Sequence, residues 1–219
     1  LMTSVIDNPG KVAEYIYSCR QMGIKILPPD INHGYSSFSV DNGSIRYGLA
    51  AIKSIGRPVI KEIVAERKAN GEFKNLKDFI ERMSGKDINK RTIENFIKSG
   101  AFDELGGTRK QFMVIYVQIL DQVNREKKNS MTGQMSLFDI VGEEQKSEFD
   151  IPLPNVGEYE KSTKLAFEKE VLGIYLSGHP MEEYEEQWRK GISKTTQDFQ
   201  FDEELGFSRV SDGAAEIIG

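Results

Sequence analysis

Apolar positions recur at helical spacing through most of the first 130 residues and lose that order afterwards. In residues 8–22, Val12, Tyr15, Ile16, Cys19 and Met22 share one face, Asn8 stands where a cap is needed, and Pro9 suits a first turn. Gly23 predicts the end of that helix, and Ile24–Leu27, stopped by Pro28 and Pro29, predicts a short strand. Residues 38–40 and 45–47 flank Asp41-Asn42-Gly43-Ser44. An Asn-Gly pair accepts positive φ at both central turn positions, so a small β-hairpin is expected there.

From Gly48 to Val123 the pattern is helical. Val59, Ile60, Ile63 and Val64 line one face, Leu76, Phe79, Ile80 and Met83 a second, and Ile93, Phe96 and Ile97 a third opened by Asn89. A fourth helix opens at Thr108, with Gln111 at capping-box spacing, and runs through Phe112, Ile115, Tyr116, Ile119, Leu120 and Val123. These stripes read as core. From Asn124 to about Gly157 the chain is polar, aperiodic and carries two prolines, which reads as a linker. Helical character returns over 158–176, where Leu165, Leu172 and Leu176 align, and again near Tyr184 and Trp188. Residues 201–219 show no helix and read as the opening strand of a further domain. The fold class is therefore mainly α, with a small α+β segment at its start.

Composition changes this picture in three places. With 38% apolar residues in 219, the chain can pack a core, and it holds no apolar run long enough for a membrane helix. No signal peptide opens it, and the leading Leu1 suggests a piece of a longer polypeptide. The single cysteine, Cys19, excludes an internal disulfide and suits a reducing compartment; with His33 and His179 as the only histidines, a Cys/His zinc site is not expected. The net charge of −5 divides unevenly: residues 1–130 hold 21 Lys/Arg against 15 Asp/Glu, a net of +6, and residues 131–219 hold 8 against 19, a net of −11. Such asymmetry suggests a polyanion-binding half joined to something else.

Two stretches give the basic half a mechanism. In Leu49–Val64 a short helix meets the tight turn Ser54-Ile55-Gly56 and a second helix starts at once. The start of a helix offers unpaired N–H groups and partial positive charge to a phosphate, and a small turn lets a sugar–phosphate backbone approach closely. Lys53, Arg57 and Lys61 add charge around it. The pattern resembles the first hairpin of a helix-hairpin-helix module. A second copy follows: Lys98 precedes Gly100-Ala101-Phe102, and Thr108, Arg109 and Lys110 open the next helix. Residues 46–128 net +7 (18 Lys/Arg less 11 Asp/Glu), which favours sequence-independent gripping of a DNA backbone. The bland alternative is a pair of αα turns with solvated charge.

In the linker, Gln134-Met135-Ser136-Leu137-Phe138 sets apolar side chains in a polar stretch, a pattern that anchors in a partner's pocket or folds back on its own domain. Catalytic signals are thin. No carboxylate pair sits at a strand end to hold two metal ions, no phosphate-cradling Gly-rich loop occurs, and His179, in Ser-Gly-His-Pro, reads as a turn residue. No catalytic residue, metal site or cofactor is assigned.

Five ordered blocks carry a resemblance. They are Cys19–Asn32 with Tyr15 ahead of it, Arg46–Lys53, Asn89–Asp103, Gly133–Phe138 and Leu172–Pro180. Together they resemble the bacterial replicative DNA polymerase III alpha subunit family. The resemblance implies that 1–45 ends the fingers region, 46–125 is a tandem helix-hairpin-helix module holding duplex DNA near the primer terminus, and 126–157 is a linker. It further implies that 158–200 is a helical connection and 201–219 the start of an oligonucleotide-binding fold. Gln134 to Phe138 match the motif that docks into the sliding clamp. The remaining polymerase domains, with their metal-binding residues, and the other replicase subunits are further implied partners, in the cytoplasm and off the membrane. On its own the chain would then bind DNA and tether to the clamp without polymerising. Two departures stand out: Ser54 takes the place of the first turn glycine, and Phe102 that of the last in the second copy.

Overall fold

A computed structural model describes residues 1–131 and 151–184, together with 186 and 190–192. After a 3₁₀ turn over Met2–Val5, helix α1 spans Pro9–Gln21; the Asn8 side chain accepts from the Lys11 N–H and Pro9 occupies the first turn. Strands β1 (Ile26–Leu27), β2 (Ser39–Asp41) and β3 (Ser44–Arg46) form a sheet of order β1-β3-β2, in which β3 pairs parallel to β1 and antiparallel to β2. Asn42 and Gly43 take φ of 48° and 78°, the positive pair that the hairpin turn required.

A 3₁₀ turn over Leu49–Ala51 leads to α2 (Arg57–Asn70), α3 (Leu76–Met83), α4 (Lys90–Ser99) and α5 (Arg109–Met131). Asn75 and Asn89 cap α3 and α4 by accepting from Asp78 and Thr92. At α5 the capping box closes in both directions: Thr108 N–H donates to Gln111 Oε1 at 2.9 Å and Gln111 N–H to Thr108 Oγ1 at 3.2 Å. The expected stripes face one core. Phe73, Phe79, Phe96 and Phe102 meet edge-on or tilted, with centroids 4.9–6.1 Å apart, and join α3, α4 and the loop after α4. The fold is mainly helical with a small sheet.

Two features differ from the sequence reading. Helix α5 runs past Asn124 to Met131, because a polar composition does not stop a helix that lacks Pro or Gly. Residues 151–159 also have fixed partners: Ile151 packs on the core, Gln111 Nε2 donates to the Pro154 carbonyl, and Thr108 Oγ1 donates to the Gly157 carbonyl. Helix α6 (Lys161–Leu172) follows and buries Leu165, Glu168, Val171 and Leu172. The contact pattern divides the chain into Leu1–Ser177 and Gly178–Gly219. In the second unit a 3₁₀ turn spans Pro180–Tyr184, where His179 N–H donates to Glu182 Oε1 and Met181 N–H donates to His179 Nδ1. The expected strand at 201–219 lies outside the described residues.

Candidate nucleic-acid interface

The first hairpin is built on backbone. After the 3₁₀ turn, Ile52 is extended, Ser54 adopts φ 64°, and Gly56 caps α2 in an extended conformation. Ser54 thus occupies the left-handed position that its expected glycine would have filled. Ile55 is buried and holds the turn to the core, while Ser54 and Gly56 stay exposed. Both backbone groups of Lys53 are fixed: its N–H donates to the Val171 carbonyl at 2.8 Å, and its carbonyl accepts from Asn95 Nδ2 at 2.7 Å.

Around this turn, Lys53, Arg57 and Lys61 are exposed and, among the described residues, meet no carboxylate in an ion pair. The N-terminus of α2 has no side-chain cap and no acidic residue in its first turn. Pro58 has no N–H, so the groups facing outward there belong to its neighbours. Gly56 has φ −74°, and a Cβ added to it would meet only Pro58 Cδ, at an ordinary 3.5 Å. The chain's own fold therefore leaves room for a side chain at Gly56. A cavity of about 540 Å³ opens beside the turn, lined by Pro9, Ala50, Lys53, Gly56 and Leu172, with Asp7 adding an acidic group.

The second hairpin has the same residue types and different geometry. Gly100 ends α4 in the left-handed region at φ 82°, and residues 100–108 intervene before α5, so turn and helix start are not adjacent. Arg109 is buried. Its guanidinium grips Asp103 through Nε at 3.0 Å and Nη2 at 2.8 Å, and its Nη1 donates to the Lys98 carbonyl and to Glu168 Oε1 at 3.4 Å. A Cβ on Gly100 would collide with that guanidinium. Lys98 pairs with Glu94 at 2.9 Å and Glu170 at 2.8 Å and lies over the Phe167 ring. The N–H groups of Arg109 and Lys110 donate to the Glu158 carboxylate, and the Lys110 ammonium stands 5.9 Å from the centre of the Tyr159 ring. Ala101 is buried, its carbonyl accepting from Ile31 N–H.

In this arrangement the expected phosphate ligands of the second hairpin, Lys98, Gly100, Ala101, Thr108, Arg109 and Lys110, are engaged by the chain itself. Residues 157–170 supply three glutamates and a carbonyl to these groups, and Glu94, Asp103 and Ile31 supply the rest.

The expected clamp-binding residues Gln134, Met135, Ser136, Leu137 and Phe138 lie outside the described residues. One grouping escaped sequence reading: Asp30, His33 and Glu104 place ligand atoms within 4.8 Å of one another. Asp30 Oδ1 already accepts the backbone N–H groups of Asn32 and His33 and stands 2.9 Å from His33 Nδ1, which makes it the cap of a turn. Only the spacings of two and three residues from Asp30 to Asn32 and His33 were visible locally; Glu104 comes from a distant loop.

The helix-hairpin-helix motif model matches residues 23–112, covering both hairpins and the sheet. The chain is 38% identical over 181 residues to DNA polymerase III subunit alpha of Mycobacterium leprae, covering 83% of this chain and 15% of that protein. It is 37% identical over 185 residues to the Escherichia coli K12 protein of the same name, covering 84% and 16%. With the Vibrio cholerae subunit it shares 37% over 194 residues, 88% and 17% of the respective lengths. The chain belongs with the bacterial DNA polymerase III alpha subunits. It spans about a sixth of the length of these relatives, by the 15–17% coverage. The motif match stops at residue 112, so α6, which bonds both hairpins, lies beyond it. Among the described residues no helix is long and apolar enough to cross a membrane.

Proposed function

We propose that the chain grips the sugar–phosphate backbone of duplex DNA without reading bases, and that the first hairpin carries the contact. The supporting observation is the exposed turn at 53–57: an uncapped helix start, unpaired cations among the described residues and a glycine with room for a side chain stand together. Lys53, Arg57 and Lys61 supply charge, and Ser54, Ile55 and Gly56 shape the turn. The second hairpin acts as a structural brace, a reading favoured by the internal engagement of Lys98 and Arg109.

The remaining assignments follow from the family. The chain serves a DNA-directed DNA polymerase of the bacterial cytoplasm whose nucleotidyl transfer is carried by residues outside this stretch. It needs no cofactor of its own and works beside the other polymerase domains and replicase subunits. Gln134 to Phe138 tether it to the sliding clamp, with Leu137 and Phe138 filling a pocket and Gln134 adding a hydrogen bond. Tethering raises the local concentration of polymerase at the primer end beyond what DNA affinity gives.

A DNA titration across salt concentrations, with and without clamp, tests both parts. Replacing Lys53, Arg57 and Lys61 with Ala makes the log–log salt slope shallower by about 2–3. An unchanged slope removes the first hairpin from the interface. Replacing Leu137 and Phe138 with Ala abolishes the clamp-dependent gain and leaves the clamp-free affinity as it was; a retained gain sinks the tether.

A further inference from the structure

Lys53, the first cation of the exposed turn, is held at its backbone by elements that come later in the chain. Its N–H donates to Val171 in α6, and its carbonyl accepts from Asn95 in α4. The position of the turn therefore depends on where the end of α6 lies.

Glu168 fastens the last turns of α6. Its side chain is 2% exposed, and its Oε2 accepts the N–H groups of Leu176 and Ser177, both at 2.9 Å, folding the chain after α6 back onto the helix. Its Oε1 receives Arg109 Nη1, which ties the same helix to the second hairpin. Lys98 adds a second tie between α4 and α6 through Glu170. On the far side, Gly173 ends α6 at φ 77°, where a Cβ would press on Pro9 of α1. The last turn of α6 is thus wedged between α1, the second hairpin and the first.

We infer that Glu168 is a positioning residue for DNA binding, acting through α6 and Val171 on the turn at Lys53. The cations of the second hairpin then serve the DNA interface indirectly. Arg109 and Lys98 spend their charge holding α6, and α6 holds the turn that meets phosphate. Residues 161–177 belong functionally to the hairpin module, although they follow the motif in sequence. The inference rests on the proposed DNA contact at the first hairpin.

The test uses the full chain and compares three variants. Glu168→Gln keeps the shape and removes the charge that Arg109 pairs with. Gly173→Ala disturbs the same turn from the Pro9 side. Ile119→Val removes a buried methyl group from α5, which packs chiefly on α3 and α4. The readouts are amide exchange at Lys53 and affinity for a DNA duplex, at a temperature where each variant is folded by circular dichroism. Glu168→Gln and Gly173→Ala are expected to speed Lys53 exchange and weaken DNA binding, each by about three- to tenfold, while Ile119→Val leaves both near wild type. Should Glu168→Gln fail to fold, Gly173→Ala reads the same strut.

Lys53 exchange that stays at wild-type rate in the folded variants overturns the inference, as does an equal response in Ile119→Val. Faster exchange with unchanged DNA affinity also overturns it, provided that the Lys53, Arg57 and Lys61 triple variant weakens binding. If that triple variant leaves binding intact, the DNA contact itself fails, while the structural tie between Glu168 and Lys53 is still read from exchange alone.

Discussion

The two hairpins carry similar residues and have opposite relations to solvent. At the first, three cations and a bare helix start surround a glycine that the fold could replace. At the second, an arginine is sunk between two carboxylates, a lysine is paired twice, and the amides at the helix start meet Glu158. A cation beside a turn is available to a ligand only where the chain brings no counter-charge to it. Burial raises the stakes, since a charge removed from water must find a partner within the protein.

The largest effect that can break this comparison is on stability. Arg109→Ala leaves Glu168 buried without its counter-charge and is expected to cost about 3–5 kcal/mol. Arg57→Ala at the first hairpin is expected to change stability by less than about 0.5 kcal/mol, because its side chain is solvated. Urea unfolding of the two variants checks this, and equal losses would erase the distinction.

The turn glycines give an intermediate effect that separates folding from binding. Gly100→Ala combines a positive φ with a collision against Arg109 and is expected to cost about 1–3 kcal/mol. Gly56→Ser adds an N-cap hydroxyl to α2, so stability holds or rises by a few tenths of a kcal/mol, roughly the preference of Ser over Gly at that position. The same hydroxyl occupies the Val59 amide, which a phosphate would need, so DNA affinity falls severalfold. A Gly56→Ser variant that binds DNA like the wild type would place the contact elsewhere.

A smaller loss than that of Arg109→Ala sharpens how α2 is anchored away from its turn. Hydrogen bonds from Lys86, Asn70 and Arg82 hold the Glu66 carboxyl down at about 2. A carboxyl depressed on folding contributes stability above its unfolded value and loses it as pH falls through the folded one. Glu66→Gln is therefore expected to lower stability by about 1 kcal/mol at neutral pH, with the difference closing between pH of about 4 and 2. Thermal melts across that range measure it; a gap that persists at pH 2 would contradict the assignment.

Much of the fold is legible in local sequence. Asn8, Asn75, Asn89 and the Thr108–Gln111 pair act within one turn of chain, so their spacing suffices to locate helix starts. The Asn42-Gly43 turn and the stripes of α2 to α5 depend likewise on neighbours a few residues apart. The extent of α5 was less legible, because a polar sequence without Pro or Gly neither demands nor forbids helix between Asn124 and Met131. At the site, the left-handed Ser54 departs from the glycine the turn favours, yet the turn keeps its shape because Ile55 is buried beneath it.

Sequence alone determined which stretches form helices, where the capped ones begin, and that the cations gather around two turns. Tertiary structure alone decided which turn keeps its cations free. Glu158, Glu168 and Glu170 reach the second hairpin from residues 48 to 72 positions away, and Val171 reaches Lys53 from beyond the hairpin motif altogether. Glu94 and Asp103 lie close in sequence to the cations they meet, but electrostatic pairing depends on distance in space, and the glutamates that complete it arrive only once α6 has packed.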